Sequence, residues 1–147
     1  MPDGIDWKAA SAPDIAAFET MAREAYAALP DAFRAHTGDI TIRIADLPGD
    51  DVVESMALES PFDLLGLFEG VGLAENAATA STGQIPNMIW LYRRPILDYW
   101  AEHTDTLGDI ITHVLIHEIG HHFGLSDADM ETIEASADPE RPENHAA

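Results

Sequence analysis

Apolar residues recur at Ile15, Phe18, Ala22 and Ala25, which share one face of a helix running to about Leu29, where Pro30 stops it. Ser11 and Asp14 have the spacing of a capping box, with Pro13 in the first turn. Asp31 to His36 adds one more turn, closed by Gly38. From Ile40 to Ile44 the period changes to two: Ile40, Ile42 and Ile44 alternate with Thr41 and Arg43, the pattern of a half-buried strand. Leu47 to Asp50 reads as a turn, and residues 51–60 fit no single period. Phe62 to Phe68 is apolar, contains Gly66 and ends at Gly70. It is expected as a strand whose internal glycine marks a close backbone approach.

Residues 74–87 are small and polar, as in a loop. Met88 to Tyr92 is continuously apolar and predicts a buried strand, after which Pro95 opens a short helix to about His103. The main helix is expected from about Asp105 to Phe123. Ile111, Leu115, Ile119 and Phe123 lie on one side of it, and Leu107, Ile110 and Val114 on the other. A helix apolar nearly all round is a buried one. Gly124 ends it, and a last helix covers roughly Asp127 to Ala137. The order predicts a single α+β domain, a small sheet beside a buried helix. The domain is expected over residues 13–137, after a lead-in at 1–12 and before a charged, proline-containing tail at 138–147 expected to be disordered.

A chain of 147 residues, 46% of them apolar, has enough material for one such core. The charge of −20 argues against nucleic-acid or anionic-membrane partners, both of which need a basic face. With no cysteine, any metal site is restricted to His, Asp and Glu. The first ten residues carry no apolar signal core, and no apolar run approaches the roughly 20 residues of a membrane span. A cytoplasmic location is expected on these grounds.

The chemistry concentrates in one stretch. His117-Glu118-Ile119-Gly120-His121 places two histidines at i and i+4 inside the main helix. They are about 40° apart in projection and one turn apart in height, so both imidazoles can reach one ion. Glu118 is turned about 100° from His117 and about 60° from His121, so it flanks the ion, as a general base does. Two histidines and a carboxylate on an otherwise apolar helix would be costly to bury without partners, and a metal supplies the reason for them. Gly124 can reverse the chain and bring Asp127 back toward the histidines. Three protein ligands and an open fourth position make the catalytic zinc arrangement. Asp127 also suits a helix cap, a task that Ser126 with Asp129 can take instead. If Asp127 is only a cap, Glu131, Glu134 and Glu140 are the other candidates for third ligand. His113, one turn before His117, is read as supporting or simply packed, and His122 as a buried, hydrogen-bonded histidine. His36, His103 and His145 read as surface residues, and Trp90, Tyr92, Tyr99 and Trp100 as core or edge aromatics.

The run from His117 to Asp127, HEIGHHFGLSD, resembles the extended H-E-x-x-H-x-x-G-x-x-D motif of zincin metallopeptidases. It is similar in particular to that of the zincin-like metallopeptidase family of small bacterial proteins. Leu65 to Gly70 and Ile89 to Arg93 resemble that family's strands, and the resemblance spans about residues 13–130. It implies a minimal zincin fold, with a small mixed sheet packed on the active-site helix. The edge strand, assigned to Leu64 to Glu69 on its glycines, would pair with an extended peptide or protein substrate. It further implies one zinc per chain on His117, His121 and Asp127, with Glu118 as the catalytic base of peptide hydrolysis. The alternative function is a non-catalytic binding or regulatory module that zinc stabilises.

Overall fold

The computed structural model describes residues 5–69 and 87–137, apart from the side chains of residues 36 and 137. Residues 74–86 of the loop expected at 74–87, the tail at 138–147, Glu140, His145 and the side chain of His36 lie outside the described residues, and Asn87 already belongs to a strand. After a 3-10 turn at Trp7–Ala9 come α1 (Ile15–Ala27), α2 (Asp31–Thr37), β1 (Ile40–Ala45) and α3 (Asp50–Ser55). A second 3-10 turn, Pro61–Asp63, leads to β2 (Gly66–Glu69). Then follow β3 (Asn87–Tyr92), α4 (Arg93–Glu102), α5 (Leu107–His122) and α6 (Asp127–Ala137).

The sheet is mixed, as expected: its order is β1-β3-β2, with β1 parallel and β2 antiparallel to β3. The continuously apolar strand takes the middle place, where both of its edges are hydrogen-bonded, and Ile89 and Leu91 are fully buried. In register, Ile42 faces Ile89 and Gly66 faces Leu91. Helix α5 crosses the sheet and touches α1, α4, α6, β2 and β3. Its Ile111, Leu115, Ile116 and Ile119 have no exposed surface, and they close a core with Phe18, Ala22 and Ile96. This is the small sheet on a buried helix that the nearly all-round apolar pattern of α5 predicts.

Two local expectations are corrected, and one open segment is filled. Asp14 alone caps α1, its carboxylate accepting from the Ala17 amide at 2.8 Å, so the helix begins at Ile15 and Pro13 precedes it. Pro13 contributes instead a carbonyl that accepts from Arg93 Nε at 2.7 Å. The strand expected from Phe62 begins only at Gly66, because Ser60 and Asp63 form a capping box around Pro61 and curl the chain into a turn. Phe62 is left 38% exposed. The 51–60 segment opens with a helical stretch, α3, whose first turn carries Asp50 and Asp51, where the helix dipole favours negative charge.

Gly66 is where the fold needs a missing side chain. A Cβ there would lie 2.7 Å from Val114 Cγ1 and 3.0 Å from the Trp90 carbonyl. The strand therefore rests directly on α5, the close approach expected from a glycine within a strand. Among the described residues, no helix is long and apolar enough to cross a membrane.

Candidate metal centre

Helix α5 begins at a cap, Thr106, whose hydroxyl accepts from the Asp109 amide at 3.1 Å. It ends in a Schellman motif. The Leu125 amide donates to the Gly120 carbonyl at 2.9 Å, the Gly124 amide donates to the His121 carbonyl at 3.2 Å, and Gly124 has φ of +82°. The reversal read from Gly124 is thus present. The next helix is capped by Ser126, whose hydroxyl accepts from the Asp129 amide at 3.1 Å while Asp129 returns a carboxylate to the Ser126 amide at 3.3 Å. That reciprocal box leaves Asp127 in the first turn with no capping task.

Helix α6 is brought against α5 by Gly120, the third residue after His117. A Cβ on Gly120 would meet Met130 Sδ at 2.6 Å, and Met130 is completely buried. This close approach lies beside the α6 carboxylates that face the α5 histidines. Two pairs result. His121 Nε2 is 3.8 Å from Asp127 Oδ1, and both side chains are largely exposed. His117 Nε2 is 3.8 Å from Glu134 Oε1, and both are mostly shielded. His113 Nδ1 lies 3.2 and 3.1 Å from the two oxygens of the same Glu134 carboxylate. The His113 and His117 rings stack with centroids 3.9 Å apart, while those of His117 and His121 meet edge to face at 5.8 Å.

His113, His117 and Glu134 have donor atoms all within 4.8 Å of one another, the one such group among the described residues. Ligands at about 2.0–2.2 Å from a tetrahedral zinc lie about 3.4 Å apart, so these separations suit a metal. The chemistry of His117 suits it too. Its Nε2 is buried and has no hydrogen-bond partner among the described residues. Burial lowers its pKa, helped by neighbouring His113 and His121, with Glu134 and Asp127 pulling the other way. The favoured form is the neutral imidazole, which has a lone pair to give to a cation. Burial raises the pKa of Glu118, and His121 opposes part of that rise.

His113 is therefore closer to metal chemistry than the supporting role read from sequence. Its tie to Glu134 spans 21 positions and follows from helix packing, which no local pattern reports. His122 is half-buried but lacks the expected hydrogen bond: its Nε2 has no partner among the described residues, and its ring packs on Phe68 with centroids 4.1 Å apart. His103 stacks on Tyr99 and bonds to its carbonyl at 2.7 Å.

A small α+β domain lays a histidine-bearing helix under a mixed sheet, and a metal-capable group joins His113 and His117 of that helix to Glu134 of the next one. The chain belongs to the zincin-like metallopeptidase family, whose model matches residues 37–137. Helix α1 precedes the matched span, yet packs on both α5 and β1. No curated protein matches the chain.

Proposed function

We propose that this protein is a zinc-dependent peptidase in which His117, His121 and Asp127 hold one zinc and Glu118 is the general base. The observation that carries the metal part is His117 Nε2, buried and without a hydrogen bond among the described residues, on the helix that carries His121 one turn further on. Buried polar atoms in folded proteins nearly always have partners, and a cation is the partner this donor set fits. His121 is exposed and its Nε2 is 3.8 Å from Asp127 Oδ1, and Asp127 is released from capping by Ser126.

When bound, zinc supplies Lewis-acid polarisation of a substrate carbonyl and activation of water at neutral pH. Glu118 receives the proton of the attacking water on its carboxylate and delivers it to the leaving amine nitrogen. Burial raises its pKa, the direction that suits a group that must both take and return a proton. Strand β2 is at the sheet's edge and contacts α5, so an extended peptide added along it would run past the histidines.

The test is Glu118→Gln. Zinc content stays at that of the unmodified chain, while hydrolysis of a peptide library falls by roughly 10²–10⁴-fold, the usual contribution of a positioned general base. Unchanged turnover sinks the mechanism. Zinc bound by the unmodified chain with no cleavage of any peptide supports the non-catalytic, zinc-stabilised module instead.

A further inference from the structure

We infer that His113, His117 and Glu134 form a second position for a divalent zinc-like cation, which competes with the hydrolytic one because both use His117. The inference rests on the proposed function only for that competition; the position itself stands on its own geometry. A plain ion pair would account for His113 and Glu134, whose atoms are 3.1 and 3.2 Å apart. It would not account for His117 Nε2, which is 3.8 Å from the same carboxylate and has no hydrogen bond among the described residues. A cation between the three satisfies all of them. Two imidazoles and one carboxylate are a borderline donor set, which selects zinc and cobalt over calcium or magnesium.

The environment suits an ion. The Glu134 side chain is only 12% exposed, so its charge is weakly solvated. His113 and Glu134 line a cavity of about 580 Å³ whose wall also carries Asp105 and Asp109. That cavity gives a cation a route in and leaves room for water as a further ligand, and the carboxylates around it favour positive charge.

One imidazole nitrogen binds one ion. A chain with its metal on His113, His117 and Glu134 cannot also offer His117 to an ion on His121 and Asp127. Occupancy of the second position therefore withdraws the shared ligand from the proposed hydrolytic site and holds the chain inactive. An ion moved between the two positions changes one histidine and one carboxylate and keeps His117.

Cobalt(II) titration of the whole chain tests this, read by visible absorption and by cobalt content after gel filtration. The His121→Ala/Asp127→Ala variant removes exposed side chains, and circular dichroism verifies its fold. It is expected to bind one cobalt per chain, and adding Glu134→Gln to it should weaken binding roughly a hundredfold or more. The complementary His113→Ala/Glu134→Gln variant should bind cobalt with a different spectrum, and the spectrum of the unmodified chain should be a weighted sum of the two. The inference is overturned if the unmodified chain binds cobalt and His121→Ala/Asp127→Ala does not, or if Glu134→Gln leaves the binding of that variant unchanged. Loss of cobalt from His113→Ala/Glu134→Gln alone overturns the ligand set of the proposed function and leaves the second position standing.

Discussion

The two faces of α5 are held by different physics. On one, Ile111, Leu115 and Ile119 have no exposed surface and are packed among α1 and the sheet. On the other, His113, His117 and His121 run along the helix at i, i+4 and i+8, with His121 59% exposed. The apolar face accounts for the existence and placement of the helix. The histidine face adds little to either, and in His117 it leaves a buried nitrogen without a hydrogen bond among the described residues. A bound cation would give that nitrogen a partner.

The largest effect expected from breaking this comparison is on the apolar side. Leu115→Ala should destabilise the metal-free protein by about 2–5 kcal/mol, the usual range for a buried leucine, whereas His121→Ala should change it by no more than about 0.5 kcal/mol. Denaturant melts of the two variants measure the contrast. Equal losses would mean that the histidine face carries structural weight as well.

A smaller effect is expected where the two faces communicate. Gly120 is on the core side, yet its missing side chain lets Met130 seat α6, and α6 carries both Asp127 and Glu134. In Gly120→Ala the new methyl must displace a fully buried methionine, at a cost of about 1–3 kcal/mol, partly offset by the roughly 1 kcal/mol gain in helix propensity. The net loss of stability is therefore about 0–2 kcal/mol, but metal affinity should fall because the carboxylates move away from the histidines. Zinc titration of the folded variant checks this. Undiminished affinity would show that the seating of α6 does not control the site.

The same division explains what could be read from sequence. The strands Ile40–Ala45 and Asn87–Tyr92, the buried helix, the reversal at Gly124 and the box of Ser126 with Asp129 are local patterns, and each is present. The His117–His121 spacing is local too, so the motif was visible. The first turn of α1 differs from its pattern because Asp14, the far member of the box expected at Ser11, is itself the cap. The meeting of His113 with Glu134 was invisible for a different reason. It depends on the packing of two helices, which includes the close approach of Met130 to Gly120.

His117 belongs to both proposed metal positions, so it offers the most direct test of the metal reading. Zinc content of the purified, untagged chain, loaded with zinc and washed, would be measured by elemental mass spectrometry beside that of His117→Ala. The account predicts about one zinc per unmodified chain and almost none in the folded variant. Equal zinc in the two proteins, or none in the unmodified chain, would contradict it.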